Sequence, residues 1–427
     1  MTTPKKRGGA AQREAQGSRA QGGSQAQGSQ AQGEARARVQ SPPPEVLYQD
    51  ELAFLERWDP GRKPKGFRMT AAAVVMFVMG SSGELLSLPK GAVSAKDSAK
   101  PPGSLADEAT RRVITPKFVG DRALVERSVI TLAGERGLLL VGEPGTAKSM
   151  LSELLAAAIS GTSALTVQGT AGTTEDQLRY GWNYAALLAK GPHPEAIVPS
   201  PILTAMRAGS IARIEEITRC LPEVQDALVS ILSDRRLAVP ELSGEAAHVE
   251  AAREGFNVIA TANLRDRGVS EMSAALKRRF NFEVVPPIAD AKDEIALVKA
   301  RASQVLERAA APMEVDEAVI EAIVTVFRDL RLGRTEEGYA VDKPAAIMST
   351  AEAVGVAASL GLSAAFLPSD RDLLGLVPGY LSGVVAKDEA KDQARLLAYW
   401  DGVVRKRADA QQRVWQTLYE LRSLLET

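Results

Sequence analysis

The sequence predicts an α/β fold in which a parallel sheet is sandwiched by helices and followed by an all-helical lid. Between residues 106 and 288, short apolar runs bounded by turns alternate with helical patterns, which is typical of strands buried on both faces of a sheet. From residue 289 onward the apolar spacing is helical throughout. The predicted strands are 137–141, 164–168, 210–214, 257–262 and 282–285. The predicted C-terminal helices are 293–306, 316–330, 345–360, 369–385 and 391–426, with a break near Asp401-Gly402.

The N-terminal region divides into a tail and a small module. Residues 1–44 are a low-complexity tail in which Ala-Gln-Gly recurs among Ser, Gln and Arg. Apolar residues are so scarce there that folding would not offset the entropy of ordering the backbone, so this tail is predicted to be disordered. Lys and Arg outnumber Glu in the tail, so it could attract an acidic surface, but a solvated tail is the favoured interpretation. Residues 45–105 are predicted to form a helical accessory module and a linker, with helices over 46–58 and 70–80.

Composition limits the class of protein. The 427 residues carry a net charge of −1, which gives no overall field to attract nucleic acid or a membrane. The single cysteine, Cys220, excludes an internal disulfide framework and is typical of a reducing cytoplasm, where we expect the protein to reside. The longest apolar run, 71–79, is about half of a membrane span. The N-terminus lacks the apolar core of a secretory signal, so none is predicted.

The central motif is a strand that ends in a glycine turn and leads into a helix. Leu-Leu-Leu-Val is followed by Gly-Glu-Pro-Gly-Thr-Ala-Lys-Ser at 142–149 and then by a helical pattern. Glycines allow the backbone N–H groups to converge on a phosphate, and the helix N-terminus adds positive character. Lys148 would place its charge on the β- and γ-phosphates, and the Ser149 hydroxyl would bind Mg²⁺. The expected phosphate-binding residues are Gly142, Glu143, Pro144, Gly145, Thr146, Ala147, Lys148 and Ser149.

Two carboxylates follow a later strand. Glu215 and Glu216 come at the end of Ser-Ile-Ala-Arg-Ile, where a nucleotide hydrolase needs one acid beside Mg²⁺ and a second one to polarise water. Glu215 stands where aspartate is more usual and reaches one methylene further. Arg213 is also unusual, since a charge inside a buried strand must be paired.

Two further elements complete the pattern. Asn263 ends the strand 257–262, from which its amide could hold the attacking water, although capping a turn is the commoner use of such a residue. Ala-Leu-Lys-Arg-Arg-Phe at 275–280 places Arg278 and Arg279 in a basic turn. A guanidinium from such a turn can stabilise a transferring phosphoryl group, often on a neighbouring subunit.

In this order the elements resemble the MoxR branch of the AAA+ ATPases, over residues from about 112 to about 362. The resemblance is carried by Lys117-Phe-Val-Gly-Asp-Arg, the glycine turn, Val167-Gln-Gly-Thr, Ala260-Thr-Ala-Asn and Leu276-Lys-Arg-Arg-Phe. Its most specific piece is Pro222-Glu-Val-Gln-Asp-Ala-Leu, directly after the acidic strand. The resemblance implies a P-loop AAA+ domain at 106–288, a helical lid at 289–365 and a helical extension at 366–427.

The resemblance also implies roles for individual positions. Glu215 becomes the acid on the Mg²⁺ side and Glu216 the catalytic base. Asn263 becomes the first sensor, and Arg279 the finger that acts on a neighbouring subunit, with Arg278 in reserve. Lys343 occupies the place of the second sensor, which is often arginine. The residues implied to lie near the adenine are Phe118, Val119 and Gly120.

At the level of function, the resemblance implies an ATPase that binds ATP and Mg²⁺ and assembles as a ring, a homohexamer. Such a ring remodels or matures a protein client, typically one that carries a von Willebrand A domain. Two insertions, 168–201 and 236–255, resemble elements that contact partner proteins. The departures at Arg213, Glu215 and Lys343 keep an alternative open, a nucleotide-gated scaffold that binds ATP with little turnover. A motor acting on nucleic acid is disfavoured, because the chain lacks a basic platform interleaved with aromatic residues.

Overall fold

Three helices and a small antiparallel sheet come first among the residues that the structure describes. The structure, a computed structural model, describes residues 41–89, 110–242, 248–263, 270–311, 313–367, 373–387, 390–410 and 413–426. The predicted tail up to residue 40 and most of the predicted linker lie outside these residues. The first elements are α1 (Pro44–Leu47), α2 (Gln49–Trp58), α3 (Ala71–Met79), β1 (Leu85–Ser87) and β2 (Arg111–Val113). The Thr70 hydroxyl caps α3 by accepting from the Ala73 N–H at 3.1 Å.

The next part of the chain alternates strands and helices. Its helices are α4 (Arg122–Leu132), α5 (Lys148–Ser160), α6 (Glu175–Leu178), α7 (Tyr184–Lys190), α8 (Pro201–Ala208), α9 (Pro222–Asp234) and α10 (Ala274–Lys277). Its strands are β3 (Gly137–Val141), β4 (Thr166–Gln168), β5 (Tyr180–Trp182), β6 (Ile197–Pro199), β7 (Ile211–Glu215), β8 (Arg236–Val239), β9 (His248–Ala251), β10 (Asn257–Ala262) and β11 (Phe280–Val284). The predicted alternation of strands and helices is confirmed.

Five of these strands form one parallel sheet in the order β11-β3-β10-β7-β4. In β3, β7 and β10 every residue is buried, as expected of strands covered on both faces. The remaining strands of this part form antiparallel pairs, β5 with β6 and β8 with β9, inside the two predicted insertions. The predicted parallel sheet flanked by helices is therefore confirmed.

Each face of the sheet belongs to a different hydrophobic cluster, because side chains alternate along a strand. Leu138 and Leu140 of β3 pack into a cluster with α2, α3, α4 and α5. Leu139 and Val141 point to the opposite face and pack with α8 and α9. The helices expected to form a separate accessory module thus share their core with the sheet, and Phe77 of α3 is fully buried there.

Helices account for most of the remaining described chain. They are α11 (Ala291–Arg308), α12 (Glu317–Leu332), α13 (Thr350–Phe366), α14 (Val377–Val385), α15 (Ala390–Tyr399), α16 (Arg405–Asp409) and α17 (Arg413–Glu420). A π-helical segment, Trp400–Val404, joins α15 to α16 at the predicted break. One hydrophobic cluster runs from Val298 to Leu425, so the predicted lid and C-terminal extension share one core. In the described part of the chain, no helix combines the length and apolarity needed to cross a bilayer.

Candidate active site

The phosphate loop, residues 142–147, connects β3 to α5 at the carboxyl edge of the sheet. Gly145 and Ala147 both have left-handed backbones, with φ of 77° and 66°, and α5 begins at the next residue, Lys148. The Thr146 hydroxyl donates to the Glu143 carbonyl at 2.9 Å and thereby closes the loop on itself. As a result, the positive end of α5 faces the loop.

Lys148 lies within the curve of this loop. Its ammonium donates to the carbonyls of Gly142 at 2.9 Å and Glu143 at 2.7 Å, and only 8% of the residue is exposed. Burial lowers the pKa of Lys148, and the charges of Glu216 and Glu215 partly oppose that effect. The ammonium is therefore held at the loop, where a phosphate would compete with weaker carbonyl partners.

Glu215 is the hub of a buried hydroxyl and guanidinium network at the end of β7. Its Oε2 accepts from Ser149 Oγ at 2.6 Å and from Thr261 Oγ1 at 2.8 Å. Its Oε1 accepts from Ser152 Oγ at 2.7 Å and from Arg213 Nη2 at 2.6 Å. Burial by itself would raise the pKa of Glu215, but hydrogen bonds from the two serines, the Arg213 charge and the Thr261 hydroxyl outweigh it and lower the pKa. The side chain is thus an ionised carboxylate beside Ser149.

Glu216 follows in a left-handed backbone conformation, with φ 56° and ψ 48°. Its N–H donates to Thr261 Oγ1 at 2.9 Å, and its carboxylate accepts from Arg219 Nε at 2.6 Å. Gly169 approaches so closely that a Cβ there would lie 2.4 Å from the Glu216 carbonyl oxygen. This contact explains why a glycine follows β4. The Glu216 side chain is 39% exposed, whereas that of Glu215 is only 8% exposed.

The other predicted catalytic residues lie on neighbouring elements. Asn263 directly follows β10 and is 4% exposed. Arg279 donates to Ser233 Oγ at 2.7 Å and to the Ala275 carbonyl at 2.8 Å within the same chain, whereas Arg278 is exposed. Arg278 is therefore the more exposed of the two arginines.

A pocket lies between the phosphate loop and the helical region, and we call it the loop–lid pocket. Its lining residues are Val119, Glu143, Pro144, Gly145, Thr146, Ala147, Met150, Pro286, Pro287, Ile288, Leu297, Arg331, Ile347, Met348, Ser349 and Thr350. Of the three residues predicted to lie near the adenine, Val119 lines the loop–lid pocket. Phe118 is buried in the core below, and Gly120 packs against the Phe118 ring, where a Cβ would lie 2.5 Å from Cε1.

The cation that the helical region contributes to this pocket is Arg331, at the end of α12. Arg331 donates to the Met348 carbonyl at 3.0 Å and to Glu294 at 2.7 Å. Lys343, the predicted second sensor, is exposed, and its side chain packs against Gly333, outside the pocket lining. Sequence reasoning missed Arg331 because no local motif marks it; the available signal was an arginine in the last turn of an amphipathic lid helix.

Arg331 belongs to a buried network centred on Glu294 in the first turn of α11. Glu294 Oε2 accepts from Arg328 at 2.8 Å and from Arg331 at 2.7 Å, and its Oε1 accepts from Thr350 Oγ1 at 2.6 Å. Glu294 is fully buried, and it joins α11 to α12 and to the start of α13. We call these four residues the Glu294 network; it connects three helices beside the loop–lid pocket.

The donor set at the loop fits a nucleoside triphosphate with Mg²⁺. The Lys148 ammonium and the start of α5 supply positive charge for phosphates. The Ser149 hydroxyl and the Glu215 carboxylate, 2.6 Å apart, supply the hard oxygen ligands that Mg²⁺ prefers. A Cβ on Gly142 would lie 2.4 Å from the Val285 carbonyl oxygen, so the loop backbone can approach its neighbours only with glycine there.

Comparisons with known proteins identify the family of this chain. A model described as AAA domain (dynein-related subfamily) matches residues 137–280, and one described as YehL-like AAA+ ATPase C-terminal domain matches residues 292–426. The protein YehL of Escherichia coli K12, itself uncharacterized, is 46% identical over 387 residues, which cover 91% of this chain and 98% of YehL. This chain is a YehL-like AAA+ ATPase.

More distant similarities are also found. YojN of Bacillus subtilis 168 is 28% identical over 247 residues, covering 56% of this chain and 72% of YojN. A crystal structure of NtrX from Brucella abortus with ADP has a TM-score of 0.41 at 13% identity, covering 73% of this chain and 70% of that chain.

The two family models match different parts of this YehL-like AAA+ ATPase. The AAA match spans β3 to the first residue of β11 and so includes the phosphate loop, Glu215, Glu216 and Asn263. The C-terminal match treats the predicted lid and extension together, in agreement with their common hydrophobic cluster. The AAA+ membership expected from the motifs is confirmed at this level, and the MoxR branch stays a prediction.

Proposed function

We propose that this YehL-like AAA+ ATPase binds ATP with Mg²⁺ at the phosphate loop and hydrolyses it. The observation that carries the proposal is the 2.6 Å contact between Ser149 and Glu215 beside the buried Lys148 ammonium. When bound, Mg²⁺ would neutralise phosphate charge next to this pair. Glu216 would accept the proton of the attacking water, and the amide of Asn263 would orient that water.

Coupling to a protein partner is the second part of the proposal. Arg331 and Ser349 of the helical region face Gly145 across the loop–lid pocket, so a bound γ-phosphate would favour one arrangement of this region over another. The resemblance to MoxR proteins supports work on a client that carries a von Willebrand A domain, in the cytoplasm, by a homohexameric ring. In such a ring Arg278, the exposed arginine of the basic turn, would reach a neighbouring site before Arg279 could.

Binding is tested first, by calorimetry of the full chain with ATP and Mg²⁺. We expect Mg²⁺-dependent binding by the wild type and at least a hundredfold loss in Lys148→Ala, because two or more charge-assisted hydrogen bonds disappear. Lys299→Ala is the matched control, since Lys299 pairs with the exposed Glu317 and neither residue lines the loop–lid pocket. Absence of binding by the wild type refutes the proposal, as does unchanged binding by Lys148→Ala.

Turnover separates the motor from the nucleotide-gated scaffold. The scaffold is favoured by Glu215, both of whose oxygens already have two partners, and by the ion pair of Glu216 with Arg219. In a single-turnover experiment, a motor converts bound ATP to ADP at least a hundredfold faster than Glu216→Gln, the usual effect of a general base. If wild type and variant retain ATP equally long, the scaffold is the function.

Ring assembly is tested by sedimentation with and without ATP and Mg²⁺. We expect nucleotide to favour hexamers of the wild type. Arg278→Ala should retain ATP binding but lose turnover, since a finger acts on the transferred group of a neighbour. A monomer at every protein and nucleotide concentration would contradict the ring.

A further inference from the structure

Arg213 is a buried cation in the middle of the sheet, and its guanidinium is fully matched. The residue is 4% exposed and lies in β7, two positions before Glu215. Arginine has five N–H donors in a fixed plane. The five acceptors around it are Ser152 Oγ at 2.9 Å from Nε, Ser163 O and Thr166 Oγ1 at 3.0 Å from Nη1, and Ser149 O at 3.3 Å and Glu215 Oε1 at 2.6 Å from Nη2.

These acceptors come from three elements and from Ser163, in the segment that joins α5 to β4. Ser149 and Ser152 belong to the first turns of α5, Thr166 belongs to the edge strand β4, and Glu215 ends β7. Because side chains alternate along a strand, Arg213 and Glu215 project from the same face of β7. The guanidinium therefore holds the carboxylate against the helix that carries Ser149.

The two carboxylate oxygens of Glu215 have different partners. Oε1 accepts hydrogen bonds from Arg213 and Ser152, and Oε2 accepts from Ser149 and Thr261. A glutamate has one more rotatable bond than an aspartate, so its carboxylate needs such a hold to present one oxygen at a defined place. A lysine at 213 would supply only three donors and no planar fork.

We propose that Arg213 is a positioning residue that sets the Mg²⁺ requirement of ATP binding by fixing Glu215 Oε2 beside Ser149. This inference rests on the proposed function and extends it to a residue that does not itself touch the nucleotide. It makes Arg213 and Glu215 one unit, in which each residue is effective only with the other.

The test is a double-mutant cycle of Arg213→Met, Glu215→Asp and both together. Calorimetry measures the Mg²⁺ concentration that gives half-maximal ATP binding, and ATP affinity is measured separately in EDTA. We expect each single variant to raise the Mg²⁺ requirement at least tenfold, and we expect Arg213→Met to keep its ATP affinity in EDTA within threefold of wild type. The Mg²⁺ requirement of the double variant should return to within about threefold of the wild-type value, because the shorter aspartate beside an apolar residue needs no guanidinium.

A merely structural role predicts other outcomes. Independent effects that multiply in the double variant, or single variants with the wild-type Mg²⁺ requirement, would overturn the inference. Arg127→Met is the matched control, because Arg127 makes a bidentate pair with Glu283 on the edge strand β11 and is not among the partners of Glu215. If Arg213→Met does not fold, Arg213→Lys is used as a single variant. It should also raise the Mg²⁺ requirement at least tenfold, because lysine lacks the planar fork, and a wild-type Mg²⁺ requirement in Arg213→Lys would overturn the inference. A wild type that binds no ATP with Mg²⁺ refutes the proposed function instead.

Discussion

Replacing Glu294 by glutamine should destabilise the helical region by about 3 kcal/mol. The fully buried carboxylate accepts from two arginines and one threonine, and the side chains of Arg328 and Arg331 are only 13% and 11% exposed. Glutamine has the same shape, so it removes the charge with little change in packing. The two guanidiniums then lose their counter-charge in a place where water cannot replace it.

The size of the effect follows from the contacts. Hydrogen bonds to charged groups contribute roughly 1.5–3 kcal/mol each, against about 1 kcal/mol for neutral ones. Two arginine bonds weakened by about 1 kcal/mol each, and a threonine bond that must be reversed, give a loss of about 3 kcal/mol. Removing one partner of a buried pair costs about 3–5 kcal/mol, which sets the upper limit.

Urea unfolding followed by tryptophan fluorescence measures this loss, because urea does not screen ion pairs. Trp400 and Trp415 are both buried in the helical cluster, so they report on the region that is perturbed. The control is Glu317→Gln, whose exposed pair with Lys299 should contribute less than about 1 kcal/mol. A free energy of unfolding for Glu294→Gln within 1 kcal/mol of that control would refute the reasoning.

The same variant predicts a pH dependence. Burial raises the pKa of Glu294, but hydrogen bonds from Arg331 and Thr350, the Arg331 charge and an Arg328 hydrogen bond outweigh it and lower the pKa below its ordinary 4.5. A lowered pKa means that the charge stabilises the folded chain above about pH 4.5 and that this contribution is lost as the pH falls through the native pKa. The stability difference between wild type and Glu294→Gln should therefore be constant near neutrality and shrink on acidification below that point.

Three further outcomes are expected. Gly169→Ala should lower the free energy of unfolding by about 2 kcal/mol, because its Cβ would lie 2.4 Å from a backbone carbonyl oxygen. The control Gly181→Ala, with nothing within 4 Å of its Cβ, should change the free energy of unfolding little. Equal effects of the two variants in urea unfolding would contradict this prediction. Arg407→Met should cost about 3–5 kcal/mol in the same assay, since the buried guanidinium pairs with two carboxylates, and a loss below 1 kcal/mol would show that the pairs are dispensable. Arg331→Ala should weaken ATP binding roughly tenfold or more, and more than Lys343→Ala, because only Arg331 lines the loop–lid pocket; the reverse order in calorimetry would restore Lys343 as the lid cation.

Much of the fold was predictable because its signals are local. A glycine turn between an apolar strand and a helix has one common structural solution, and the strands at 137–141 and 257–262 coincide with β3 and β10. Helix α11 extends the predicted 293–306 by two residues at each end. Asp290 caps its N-terminus. The helical stretch predicted over 391–426, with a break near Asp401-Gly402, corresponds to α15, the π-helical segment at that break, and the shorter helices α16 and α17.

The sequence by itself determined the elements and the chemistry of the phosphate loop, because propensity, capping and the glycine turn act over a few neighbouring residues. Only the tertiary structure decided which distant polar groups meet. Arg213 carries a charge that the sequence required to be paired, but its five acceptors lie on segments up to 64 residues away. Arg331 reaches the loop–lid pocket only because Glu294, 37 residues earlier, holds it there. Such pairings depend on how helices and strands pack, and buried charges impose them through the high free energy of any arrangement that leaves one unpaired.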